Sequence, residues 1–211
     1  ILGAHLDSPR LDAKQNPLYE KDNITYLNTH YYGGIKKYQW VTLPLAIHGV
    51  VAKKDGNVVE VVIGEEENDP VFCVTDLLIH LAGEQMEKKA GKVIEGENLD
   101  ILFASKPLKD KDKNAVKEGV LKLLKDEYDI EEEDFIPAEL EVVPAGKARE
   151  AGFDKSMILA YGQDDRVCAF SSLKAMLEVE DAKRCACCLL VDKEEIGSVG
   201  ATGMQSRFFE N

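Results

Sequence analysis

The 211-residue sequence contains no apolar run approaching the roughly 20 residues that a membrane-spanning helix needs, and no basic-then-apolar leader. A membrane partner is therefore not expected. Basic residues are in deficit: 26 Lys and Arg stand against 39 Asp and Glu, a net charge of −13 that repels phosphate backbones. The lysines between Lys106 and Lys125 are interleaved with acids and form no basic patch, which argues against nucleic acid as a partner. The five cysteines are odd in number and have no disulfide-like spacing. Cys185, Cys187 and Cys188 lie in an apolar run, where cysteine acts as a small hydrophobe, and the four-ligand spacing of a structural zinc site is missing. Reduced cysteines lead to the expectation of a cytoplasmic protein. No initiator methionine opens the chain, whose first residues already read as the end of a strand, so a cut-away N-terminus is expected. Internal repeats and low-complexity tracts are absent.

What remains is ordinary globular composition, 45% hydrophobic and 31% charged, in a chain long enough to bury a core as one large domain or two small ones. The informative stretch is Val191-Asp192-Lys193-Glu194-Glu195-Ile196-Gly197. An apolar run from Cys185 to Val191 reads as a buried strand and delivers two adjacent carboxylates where glycine and serine take over. Alone, such a pair reads as a solvated acidic turn. However, Ile1-Leu2-Gly3-Ala4-His5-Leu6-Asp7 and Ile158-Leu159-Ala160-Tyr161-Gly162-Gln163-Asp164-Asp165-Arg166 repeat the pattern. Three strand-end clusters of His, Asp and Glu make a constellation suited to a divalent metal, because imidazole and carboxylate ligands fit zinc and its neighbours.

Between these clusters the pattern changes. Leu11 to about Gly34 is polar and punctuated by Pro17, Gly33 and Gly34, and reads as a linker or irregular extended segment. Two β-branched runs, Leu43–Ala52 and Val58–Ile63, flank Asp55-Gly56 and predict a hairpin, with Pro44 delaying the first strand or placing it at an edge. Asp76 is a candidate cap for a short helix carrying His80. Asn114 is a candidate cap for an amphipathic helix to about Tyr128, with Val116, Val120, Leu123 and Leu124 on its apolar side. Glu131 to Asp134 reads as a solvated loop, and Leu140 to Val143 as a strand. A strand over 158–161, a helix over 167–177 and the strand before Val191 suggest a βαβ-like unit. The fold class expected is α/β: residues 1–13 and 147–211 share the acidic motif set, and a β-rich insertion, residues 14–146, interrupts them.

The flanking residues carry a resemblance. His5-Leu6-Asp7-Ser8-Pro9, Tyr32-Gly33-Gly34, Ile79-His80-Leu81 and Asp192-Lys193-Glu194-Glu195-Ile196-Gly197-Ser198 resemble the aspartyl aminopeptidase family of co-catalytic zinc metallopeptidases, from Gly3 to the end of the chain. The resemblance implies a mixed-sheet zinc-exopeptidase catalytic domain interrupted by an inserted β-rich dimerisation domain, with subunits assembling further into a larger homo-oligomer. It implies two divalent ions, zinc first, with cobalt or manganese also compatible. Asp164 would bridge them, with His5 on one and Glu195 on the other. Glu194 would be the general base, Asp7 would orient the His5 ring, and His80 would reach into a partner's substrate pocket. The reaction implied is hydrolysis of N-terminal residues, acidic ones among them, from peptides. Asp164-Asp165-Arg166 departs from the family's usual Asp-Asn and looks more like the glutamyl aminopeptidases, so two specificities stay open. In a different class stands a non-catalytic oligomerisation module. Each ion in the resembled family takes one more ligand, an aspartate and a histidine lying beyond the Glu-Glu motif. After Glu195 this sequence has neither, so the segment alone is expected to be inactive.

Overall fold

Period-two alternation builds the middle of the chain. The computed structural model describes residues 1–210, in which β1 (Leu2–His5) is followed by β2 (Arg10–Lys21), β3 (Ile24–Tyr32), β4 (Leu45–Ala52), β5 (Val58–Ile63) and β6 (Cys73–Val74). Two single-turn helices, α1 (Gly83–Met86) and α2 (Ala90–Val93), precede β7 (Ile101–Ala104), α3 (Ala115–Tyr128) and β8 (Glu139–Pro144). The chain continues through β9 (Arg149–Ala151), β10 (Met157–Leu159), α4 (Gln163–Leu177) and β11 (Cys188–Val191). The fold is mixed α/β, and it divides into two compact units. One comprises Ile1–Pro9, Tyr32–Gly34 and the chain from Lys147 onward; the other comprises Arg10–Tyr31 and Ile35–Gly146.

The second unit is a seven-stranded sheet in the order β5-β4-β8-β2-β3-β7-β6. The expected hairpin is there: β4 and β5 run antiparallel from Ile47↔Ile63 to Ala52↔Val58, closed by a turn in which Gly56 takes φ +88°. Pro44 acts as a late start, since β4 begins at the next residue. The segment read as a linker is instead the pair β2 and β3, joined at Asp22-Asn23, both with positive φ, a two-residue hairpin connection. Threonine conceals it. Thr25, Leu27 and Thr29 alternate inward on β3 and are all buried, and Thr29 Oγ1 donates to the Leu99 carbonyl at 2.7 Å. A buried hydroxyl with a partner is tolerated, but hydropathy scores it as polar. Leu11, Leu27, Leu45, Ile101 and Val142 form the core with Val116 and Val120 of α3, which packs on β2 and β7.

The start of α3 corrects a second expectation. Asn114 stands at the cap with φ +50° and makes no side-chain capping bond. Glu20 caps it from β2: its Oε2 accepts the N–H groups of Val116 and Lys117, each at 2.9 Å. A carboxylate there also meets the positive end of the helix dipole. Glu20→Ala is expected to lose about 1–2 kcal/mol, with Glu20→Gln in between, read from urea midpoints. Glu131 to Asp134 is likewise no loose loop. It enters a 3₁₀ turn (Glu132–Phe135) with a reciprocal capping box, Glu131 N–H donating to buried Asp134 at 2.9 Å. His80 lies exposed in a 3₁₀ turn (Ile79–Leu81); Asp76 does not cap that turn but accepts from Leu77 N–H and the Gln85 amide.

In the first unit, β1 and β11 pair in parallel, with His5 level with Val191. Helix α4 packs against both. No βαβ unit forms from β10, α4 and β11. β10 pairs antiparallel with β9 across a short turn containing Gly152 (φ +82°), while β11 pairs with β1. A local hairpin with a glycine turn costs less chain entropy than a crossover. β11 is also shorter than the apolar run suggests, starting at Cys188.

Candidate metal centre

Parallel pairing of β1 and β11 brings two chain ends together on one side. Leu6 N–H donates to the Val191 carbonyl at 2.9 Å, so Asp7 leaves β1 level with the residues that leave β11. There Lys193 (φ +68°) and Gly197 (φ +90°) bracket a 3₁₀ turn over Glu194–Ile196. Asp7 holds the start of that turn. Its carboxylate accepts Glu194 N–H at 3.1 Å, Glu195 N–H at 3.2 Å and the Tyr32 hydroxyl at 2.6 Å. The Asp7 side chain is 1% exposed. A buried carboxylate needs such donors, and here they are supplied by the turn it positions.

His5, at the end of β1, is buried and fixed at one nitrogen. Its Nδ1 lies 2.9 Å from the Asp7 main-chain carbonyl, which can only accept, so Nδ1 carries the proton and Nε2 keeps its lone pair. The Asp7 carboxylate stands further from Nδ1, at 3.4 Å. Nε2 faces Asp164 Oδ1 at 3.3 Å and Glu194 Oε2 at 3.6 Å. One ligand atom each from His5, Glu194 and Glu195 lie within 4.8 Å of one another. Asp164 comes from the first residues of α4, before the regular helix: its ψ is +114°, and a cis peptide joins it to Asp165. Three bonds tie that segment to the residues after β1. Ser8 Oγ donates to the Asp164 carbonyl at 3.1 Å, Tyr161 hydroxyl to the Pro9 carbonyl at 2.7 Å, and Arg166 Nε to the Leu6 carbonyl at 3.5 Å.

The electrostatics are those of crowded negative charge. Burial raises the Glu195 carboxyl above its ordinary range, and the neighbouring Glu194 raises it further. For His5, burial opposes the charged ring but is outweighed by the Asp7 carbonyl and the fields of Glu194, Asp7 and Asp165, so its pKa is raised above 6.5. Carboxylates gathered this closely repel one another, and a bound cation relieves that repulsion. An imidazole with a free Nε2, its other nitrogen held by a carbonyl, and several carboxylate oxygens fit a zinc-type ion.

Of the residues singled out in the sequence, His5, Asp7, Asp164, Glu194 and Glu195 come together here, while His80 belongs to the second unit. Tyr32, Ser8 and Tyr161 carried no assigned role, although they lie in or beside stretches the sequence marked. The signal available for Tyr32 was a large hydroxyl-bearing ring before two glycines.

Imidazole and carboxylates converging beside the ends of two parallel strands, in a mixed α/β fold, are the arrangement of a divalent-metal protein. The chain belongs to the family described as Aminopeptidase I zinc metalloprotease (M18), which it matches over residues 1–211. It is 67% identical to a probable M18 family aminopeptidase 1 of Clostridium acetobutylicum over 212 residues, 100% of this chain and 46% of that protein. An M18 aminopeptidase crystal structure from Thermotoga maritima, 50% identical, superposes with a TM-score of 0.94 over 99% of this chain and 46% of that one. A more distant similarity, 21% identical with a TM-score of 0.69 over 99% of this chain and 47% of the other, is to the yeast mApe1 dodecamer and concerns the fold. The chain thus spans about half the length of the relatives it matches.

Proposed function

We propose that the full-length protein is a metal-dependent aminopeptidase, cytoplasmic, that removes N-terminal residues from peptides. The observation that carries this is the His5 Nε2 lone pair facing Asp164 and Glu194, with Glu195 in reach, in a chain of a zinc metalloprotease family. His5, Asp164 and Glu195 are the residues of this chain that would hold the two divalent ions, with zinc favoured over cobalt or manganese. Such ions acidify water and polarise a carbonyl, which is what peptide hydrolysis at neutral pH requires. Glu194 is left to take a proton from the attacking water and pass it to the leaving amine. Asp7 aligns His5 and the turn bearing both glutamates.

The residues 14–146 insertion serves dimerisation, and His80 reaches a partner's substrate pocket. The dodecameric assembly of the yeast relative is in keeping with a larger homo-oligomer. Acidic N-terminal residues are among the substrates; Asp164-Asp165-Arg166 keeps a glutamyl alternative beside the aspartyl one, and a panel of N-terminal Asp, Glu and neutral peptides separates the two. The rival reading, a non-catalytic assembly module, expects a stable dimer indifferent to metal.

Elemental analysis after exhaustive dialysis tests the proposal. The full-length protein is expected to retain two divalent ions per chain and to lose turnover on chelation. The 211-residue chain alone is expected to hold less metal and to give no turnover, because no Asp or His follows Glu195. A metal-free full-length protein with undiminished oligomerisation would favour the module.

A further inference from the structure

Among the described residues between Arg10 and Gly146, Tyr32, Gly33 and Gly34 alone belong to the first unit. This three-residue excursion lies against Lys193 and Glu195 and against Asp7, which holds the glutamate-bearing turn. The Tyr32 hydroxyl donates to Asp7 Oδ2 at 2.6 Å, a short charge-assisted bond, and the same oxygen accepts Glu195 N–H. The Lys193 ammonium sits 5.7 Å over the Tyr32 ring centre, within cation–π range. Gly33, at φ +72°, lies so close that a Cβ there would be 3.1 Å from Glu195 Cβ and 3.5 Å from Glu195 Oε2. Tyr32 is the last residue of β3, beyond the Thr25–Leu27 stretch that pairs with β7.

Resting on the functional reading above, we propose that Tyr32 is a positioning residue of the hydrolytic site, acting through Asp7 to fix the Glu194–Glu195 turn. Asp7 has two oxygens and must hold two backbone N–H groups in the register that aims Glu194 and Glu195. The Tyr32 hydroxyl pins one of those oxygens. Without it the carboxylate can rotate toward His5 Nδ1, 3.4 Å away, and release the turn. Tyr32 is itself buried, so its loss acts on the aim of the glutamates rather than on substrate binding.

The test is Tyr32→Phe in the full-length enzyme, which keeps the ring and removes one donor. Three readouts are taken: amide exchange at Glu194 and Glu195, affinity for Zn²⁺, and kcat against KM. Expected are faster exchange at these two amides, Zn²⁺ affinity and kcat each lower by about tenfold, and KM within about twofold, since supporting hydrogen bonds around metal ligands are worth roughly 10–100-fold. Unchanged exchange, or unchanged affinity and kcat, overturns the proposal, and a lowered melting temperature alone marks Tyr32 as packing. If the unmutated enzyme itself neither holds Zn²⁺ nor cleaves peptides, the functional reading fails instead, and amide exchange still decides whether Tyr32 fixes the turn.

Discussion

Glu194→Gln in the full-length enzyme is expected to retain its metal and to lose kcat by about 10²–10⁴-fold, the usual worth of a positioned general base. The amide has nearly the same shape and still reaches toward His5, so the turn and its bonds to Asp7, which run through the backbone, are preserved. What is lost is a group able to accept a proton from water. Metal content by elemental analysis and kcat on an N-terminal peptide substrate give the answer together. The geometry makes this substitution decisive in a second way. Glu194 Oε2 stands 3.6 Å from His5 Nε2 and shares ligand distance with Glu195. Loss of metal together with activity would move Glu194 into the ligand set and leave the base role to be assigned elsewhere; full activity would remove it from the chemistry.

Asp7→Ala is expected to be the most damaging single change to the first unit. It leaves three donors without an acceptor: the Tyr32 hydroxyl and the N–H groups of Glu194 and Glu195. The Tyr32 hydroxyl is buried, and a buried donor left unsatisfied costs about 1–3 kcal/mol, while the two part-buried amides can turn to water, so a loss of about 1–3 kcal/mol is expected, with metal binding lost alongside. Asp7→Asn should fall between, because its amide can accept at one oxygen but presents N–H toward another donor. Urea unfolding monitored in the first unit, with metal content on the same samples, checks both. An Asp7→Ala protein with wild-type stability would mean that the turn holds itself.

The β4–β5 hairpin and α3 were legible because their determinants are local: β-branched runs around Asp55-Gly56, and apolar residues at helical spacing from Val116. β2 and β3 were not, because inward threonines, Thr29 with its bond to the Leu99 carbonyl among them, look polar in a sequence. The true cap of α3 comes from Glu20, 96 residues before Val116, and no local pattern encodes it. The same holds at the site. Residue types and strand-end placement picked out His5, Asp164, Glu194 and Glu195. The bonds that aim them, from Asp7 to the Glu194 amide across 187 residues and from Ser8 to Asp164 across 156, exist only once the chain is folded. The family resemblance implied that Asp7 orients the His5 ring; in the structure the Asp7 main-chain carbonyl makes that bond, and the carboxylate turns to the glutamates.

The parallel pairing of β1 with β11 carries a kinetic consequence. Of the described strands β1 comes first along the chain and its partner β11 last, while most of what lies between is committed to a sheet of its own. Long-range pairing of this kind is slow, because chain closure is paid for before any contact rewards it. The seven-stranded unit can therefore mature while His5 and Asp7 still wait for the glutamates. The site that joins His5 and Asp7 to Glu194 and Glu195 is therefore assembled only once that long-range pairing has closed, later than the local β4–β5 hairpin.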